Sequence, residues 1–178
     1  VITKLSHSEH WNMAQFMLFP NYVNMMITGQ TQSGKSYFTA KLLVNCDRMF
    51  KHPPQLILFF YRHWQKVYDQ IEKTLGSRVQ FKSIIPTEEE LLSEILSARE
   101  LYKGQNWHVL ICVDDWMDQL YRNDLFVQLV TRLGHHENIS NIFITQEGIS
   151  SGPNKREVHN NIHCNVFMGS SRNRASLR

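Results

Sequence analysis

Gly29-Gln30-Thr31-Gln32-Ser33-Gly34-Lys35-Ser36 sets two glycines, a lysine and a hydroxyl at the spacing G-x-x-x-x-G-K-[ST], followed by Tyr37. Glycines let the backbone wrap closely, so that amide N–H groups converge on the oxygens of a phosphate. A helix starting at the end of the loop adds its orphan donors and positive dipole end to the same anion. In this pattern Lys35 supplies a point charge at the β- and γ-phosphates, and Ser36 offers a hydroxyl to Mg²⁺. The phosphate-binding stretch is thus Gly29 to Tyr37, and the ligand it fits is ATP with Mg²⁺. A chance match in a chain of this length is roughly a one per cent event or rarer. Gln30 and Gln32 stand where glycine or proline would ease the turn. If Gln32 takes a positive φ it carries a steric cost that glycine would not.

Two further groups fall where such chemistry needs them. An apolar run, Val109-Leu-Ile-Cys-Val113, closes on Asp114-Asp115. Mg²⁺ is a hard cation that keeps much of its water, which suits Asp114. Asp115 is then the base or orienter of the attacking water. Taken alone, an Asp-Asp pair after a strand more often caps a helix. Gln146 follows another apolar run. Its amide has the donor and acceptor needed to sense a γ-phosphate or hold the lytic water, although an ordinary loop glutamine would look the same.

The elements that must carry these groups are short apolar runs alternating with helical patterns. Runs at Tyr22–Thr28, Gln55–Tyr61, His108–Val113, Ile139–Thr145 and Ile162–Met168 read as five strands, and Val79–Phe81 as a further short one. Helices are expected from Gly34 with Phe38, Leu42 and Leu43 on one face, and over Trp64 to Leu75 ending at Gly76. A third begins at the capping box Thr87–Glu90 and carries Leu91, Leu92, Ile95, Leu96 and Leu101. A fourth carries Leu125, Leu129 and Leu133 and stops near Gly134. Alternation of this kind predicts an α/β fold, a mostly parallel sheet flanked by helices on both faces. The polar residues of interest all follow the ends of apolar runs, the rim where open α/β sheets bind ligands.

The chain has 178 residues, which predicts a single domain over 1–178, and its net charge of +3 does not by itself imply nucleic acid. From Gly152 onward Lys155, Arg156, Arg172, Arg174 and Arg178 face only Glu157, a local excess of +4 that suits a phosphate backbone or a solvated tail. Cys46, Cys112 and Cys164 are unpaired in spacing, which excludes a disulfide framework or zinc ribbon and points to a reducing, intracellular setting. No apolar run approaches the roughly 20 residues needed to span a bilayer, so no membrane partner is expected. A polar Ser6–Asn12 does not read as a signal peptide, and a start at Val1 is expected for a fragment.

Several segments in order resemble the FtsK–HerA group of P-loop motors, above all the genome-packaging ATPases of large DNA viruses and virus-like elements. They are Met26–Ser36, Pro53–Arg62 with Val67-Tyr68-Asp69, Val113–Met117 and His135–Gln146, between about Phe19 and Arg174. The resemblance implies strand order 5-1-4-3-2, with the Gln146 strand between those leading to Lys35 and Asp114. It implies ATP hydrolysis by a ring of identical subunits that drives double-stranded DNA into a capsid, with capsid or portal components as further partners. An arginine from one subunit often completes the neighbour's site in such rings, with Arg132 the first candidate and Arg172 and Arg174 the others. Asp115 departs from the glutamate many relatives carry, and C-terminal elements are expected to be missing.

His135 and His136 lack the i, i+4 spacing of a helical metal pair and read as surface or interface residues. Trp64, Trp107 and Trp116 read as packing rather than base stacking. Two alternatives remain: a P-loop kinase for a small acceptor, although Gly76–Gln105 shows no arginine-rich lid, and a nucleotide-binding assembly module that does not hydrolyse.

Overall fold

The computed structural model describes residues 18–102, 106–116, 119, 121–146 and 152–169. Six strands form one sheet: β1 (Asn24–Gly29), β2 (Leu56–Tyr61), β3 (Val79–Lys82), β4 (Val109–Asp114), β5 (Ile139–Thr145) and β6 (Cys164–Met168). Their spatial order is β3-β2-β4-β5-β1-β6, and every neighbouring pair is parallel. The five main strands follow the order the resemblance implies, and the short strand at Val79 is added outside β2. Central strands β4 and β5 are buried at every residue, as strands covered on both faces must be.

The pleat divides the core in two. Leu58, Phe60, Val109, Ile111, Val113 and Phe143 point to one face, and Ile57, Phe59, Leu110, Cys112, Ile142 and Ile144 to the other. Against the second face lie α1 (Lys35–Val44) with α2 (Cys46–Met49), and α3 (Tyr68–Leu75). Against the first pack α4 (Glu88–Leu101) and α5 (Asp124–Gln128), and Val158 of α7 (Lys155–Asn160). A π-helical turn, Leu129–Leu133, continues α5 into α6 (Gly134–Glu137).

Local chemistry explains two helix boundaries directly. Thr87 and Glu90 close the expected capping box: the Glu90 amide donates to Thr87 Oγ1 at 3.3 Å and the Thr87 amide to Glu90 Oε2 at 2.8 Å. Gly76, at φ 55°, ends α3. Three expectations need correction. Helix α3 starts at Tyr68, and Trp64 and Val67 belong to the turn before it. In α4, Leu91 and Ile95 are buried but Leu96 and Leu101 are 51% and 83% exposed, so the apolar stripe is narrower than its leucines imply. Gly134 stops nothing: it is helical, and the chain turns at Asn138, φ 54°. The π turn forms where carbonyls accept side-chain donors from outside the helix. Leu129 C=O accepts from Asn141 Nδ2 at 3.2 Å, and Val130 C=O accepts from Tyr22 Oη at 2.7 Å and Asn24 Nδ2 at 2.9 Å.

Candidate active site

At the carboxyl ends of β1, β4 and β5 lies a cavity of about 510 Å³. Thr31, Gln32, Gly34, Lys35, Ser36 and Tyr37 line it from the β1–α1 loop and the start of α1; Asp114, Asp115 and Gln146 line it from the ends of β4 and β5, and Gln65 and Val67 from the segment after β2. Lys35, Ser36, Asp114, Asp115 and Gln146 are therefore brought together, although 78 residues separate Ser36 from Asp114 and 115 separate Thr31 from Gln146 in the chain.

The loop takes the shape its glycines permit. Gly34 sits at φ 94° directly before α1. Gly29 packs so closely on β6 that a Cβ there would lie 2.5 Å from the Met168 carbonyl oxygen. Gln32 adopts φ 64°, a left-handed conformation, so it carries the steric cost that glycine would not. Lys35 Nζ donates to the carbonyls of Gly29 at 2.6 Å and Gln30 at 2.8 Å, so the ammonium is held at the mouth of its own loop. Burial lowers its pKa, opposed by the charges of Asp114 and Asp115.

Asp114 ends β4 and is 5% exposed. Consecutive strand residues should face opposite ways, yet both acids line the cavity. Asp115 turns the chain through φ 64°, which brings its side chain to the same side. Ser36 Oγ donates to Asp114 Oδ2 at 3.3 Å, so the hydroxyl and the carboxylate chosen for the metal face each other directly. The same oxygen accepts from Gln65 Nε2 at 3.3 Å and from the buried hydroxyl of Tyr68. Burial raises the pKa of Asp114, its hydrogen bonds from Tyr68 and Ser36 opposing the rise. Burial likewise raises that of Tyr68, and the Asp114 charge adds to it. Gln146 bridges loop and acid: its Oε1 accepts from Thr31 Oγ1 at 3.3 Å and its Nε2 donates to Asp115 Oδ1 at 3.5 Å.

These residues fit a nucleoside triphosphate with Mg²⁺. Among the described residues no three His, Cys, Asp or Glu side chains form a cage for a metal. A single hydroxyl–carboxylate pair beside a phosphate cradle instead matches Mg²⁺, which takes few protein ligands and completes its shell with phosphate oxygens and water.

Arg132 does not join this site. It lies on the π turn, exposed, with Nη2 donating to Gln128 Oε1 at 2.9 Å. Two residues on, Gly134 packs against the Ile139 carbonyl at the start of β5, whereas Gln146 follows its end. The seven residues of β5 separate these positions, roughly 20 Å at the rise of a strand. Arg172 and Arg174 lie outside the described residues. His135 and His136 are exposed beside Arg132, their rings edge to face at 5.6 Å. Of the tryptophans, Trp107 is buried against Tyr102 and Trp116 carries Arg62 over its ring at 4.6 Å. Sequence reasoning passed over Tyr68 and Gln65. Tyr68 carried a faint signal, one hydroxyl within an apolar helical stripe just after a strand; Gln65 carried none.

A family model described as Poxvirus A32 protein matches residues 11–170. A search of the curated proteins found no match. Among solved structures, the DNA-packaging ATPase B204 from Sulfolobus Turreted Icosahedral Virus aligns with TM-score 0.55 and 12% identity, over 87% of this chain and 80% of that one. The genome packaging NTPase B204 from Sulfolobus turreted icosahedral virus 2, in complex with ATP-gammaS, aligns with TM-score 0.53 and 11% identity, over 85% and 78%. EssC ATPases 2 and 3 from Geobacillus thermodenitrificans align with TM-score 0.56 and 15% identity, over 85% of this chain and 33% of that one. The chain thus spans about a third of the length of the EssC structures it matches. At these identities the likeness establishes the fold.

Proposed function

Because this chain belongs to the Poxvirus A32 protein family, we propose that it is an ATP-hydrolysing motor domain that moves double-stranded DNA into a viral capsid. One observation carries the chemical part: Ser36 and Asp114 meet at 3.3 Å beside Lys35 in a single cavity at the rim of the sheet. Mg²⁺, when bound, would neutralise charge on the β- and γ-phosphate oxygens. The chain supplies the rest. Loop amides and Lys35 bind the triphosphate, the ammonium leaving the Gly29 and Gln30 carbonyls for phosphate oxygens. Ser36 and Asp114 would hold the metal shell. Asp115 accepts a hydrogen bond from the attacking water and aligns it with the γ-phosphorus, and Gln146, already bonded to Asp115 and Thr31, exchanges those partners for the γ-phosphate. Phosphoryl transfer to water needs little more than such positioning and charge stabilisation.

Assembly of subunits into a ring, a neighbour's site completed by Arg132, and docking on capsid or portal components extend this reading. Arg132 is too far from its own cradle to act there and is exposed, which supports action across an interface. Free Cys46, Cys112 and Cys164 support assembly in a reducing, intracellular compartment. Phosphate release measured with and without double-stranded DNA tests the proposal. Wild type should release phosphate faster with DNA, and Lys35→Ala and Asp115→Asn should abolish the DNA-stimulated rate. Tight ATP binding without release, with DNA present, overturns it.

A further inference from the structure

We infer that Tyr68 is a positioning residue of the metal site: its hydroxyl fixes Asp114 so that the carboxylate presents one oxygen to the metal shell. This rests on the Mg²⁺-nucleotide reading of the cavity and deepens it.

One atom of Asp114 is shared by several donors. Ser36 Oγ, Gln65 Nε2 and Tyr68 Oη all donate to Asp114 Oδ2. Three donors on one oxygen set the rotation of the carboxylate and leave Oδ1 to the water of a cation's shell. Outer partners of this kind orient a ligand that would otherwise rotate.

Of the three, Tyr68 has the least freedom. Ser36 is itself a candidate metal ligand, and Gln65 hangs from a turn. Tyr68 is fully buried. Its ring centroid lies 4.8 Å from that of Phe59 and 5.7 Å from that of Phe81, on which it stacks; Trp64 meets its edge at 5.6 Å. Such a ring cannot swing without opening the core. The backbone adds a second restraint. The Tyr68 amide donates to the Gln65 carbonyl at 2.9 Å, and Trp64 Nε1 donates to Asp69 Oδ1 at 3.0 Å, closing a tight turn around both donors. A tyrosine that served packing alone would not need its hydroxyl buried on a carboxylate. Phenylalanine would fill the same space without a polar group to satisfy.

Binding of a fluorescent ATP analogue to the whole chain tests this, first in chelator and then against rising Mg²⁺. Tyr68→Phe should bind the analogue in chelator like wild type, yet need about tenfold more Mg²⁺ for half of the metal-dependent gain in affinity. In an Asp114→Asn background the same substitution should add nothing further. ATP turnover at saturating Mg²⁺ should keep its KM. If Tyr68→Phe fails to fold, Gln65→Leu removes the second donor without touching the aromatic core and should raise the Mg²⁺ requirement in the same direction. Wild-type Mg²⁺ dependence in the folded variants, or equal losses with and without metal, overturns the inference and leaves the ATP site standing. Absence of any Mg²⁺ effect in the wild type overturns both.

Discussion

Replacing Gly134 by alanine sets two rules against each other, and the structure decides the sign. Gly134 is helical, at φ −53° and ψ −48°. On propensity alone Gly→Ala in a helix stabilises by about 1 kcal/mol. The new Cβ would sit 2.5 Å from the Leu129 carbonyl oxygen, 2.5 Å from Cε2 of Tyr22 and 3.1 Å from the Ile139 carbonyl oxygen. None of the three is free to yield. Leu129 C=O is bound by Asn141 Nδ2. Tyr22 is pinned by its hydroxyl on Val130 C=O at 2.7 Å and by the edges of His135 and His163 at 5.6 and 5.1 Å. Ile139 opens a fully buried strand. Overpacking against a rigid wall costs about 1–3 kcal/mol, and contact with two backbone oxygens belongs at the upper end. After the propensity gain, about 1–2 kcal/mol of destabilisation remains. For a domain of this size, Tm falls by about 2–4 °C per kcal/mol, so the expected drop is roughly 2–8 °C. Thermal denaturation of Gly134→Ala beside Ser97→Ala, an exposed position in the middle of α4, makes the comparison. Ser97→Ala should match or slightly exceed wild type. A Gly134→Ala Tm equal to or above wild type would refute the close approach as the reason for glycine here.

Further outcomes follow from the buried ionisable groups. His108 is fully buried between the His52 carbonyl and Ser140 Oγ, each at 2.8 Å, and burial pushes its pKa down to about 4. A folded-state pKa below the unfolded value of about 6.5 means stability is held above pH 6.5 and lost as pH falls toward 4, by about 3 kcal/mol. Urea unfolding at pH 7 and pH 4 should show that loss reduced in His108→Gln; an identical pH dependence would contradict it. Asp114 has the opposite sign. Its raised pKa means its ionised form opposes folding, so its contribution is most favourable below the unfolded carboxylate value and declines as pH rises through the folded one. Metal-free Asp114→Asn at pH 7.5 should therefore melt no lower than wild type while losing the Tm gain from Mg²⁺ and nucleotide. A lower metal-free Tm would show that the hydrogen bonds to Asp114 outweigh the cost of burying its charge.

The cradle and its partners were legible because a strand's end is written in composition: an apolar run, then abrupt polarity. Gly29, Asp114 and Gln146 each mark such a change, and the sheet carries all three to one rim. Strand order came from family resemblance alone, since periodicity says nothing about which strands are neighbours. Other features were hidden by ambiguity in the residues themselves. Gly134 has the composition of a helix stop because glycine serves both φ freedom and close approach, and only Tyr22, more than a hundred residues earlier, shows which applies here. The π turn carries side-chain amides from two strands, Asn141 on β5 and Asn24 on β1, the latter 106 residues from the Val130 carbonyl it binds. Tyr68 reads as one more apolar residue in a helical stripe until its hydroxyl is found on Asp114. Leu96 and Leu101 read as core by type, yet both point away from the apolar clusters formed by the described residues.

A structure with Mg²⁺ and a non-hydrolysable ATP analogue bound tests the metal-nucleotide site most directly. Ser36 Oγ should lie about 2.0–2.1 Å from the metal, with Asp114 in its shell directly or through one water, and Lys35 Nζ moved from the Gly29 and Gln30 carbonyls to the β- and γ-phosphates. A nucleotide bound elsewhere, or a metal held without Ser36 and Asp114, would contradict it.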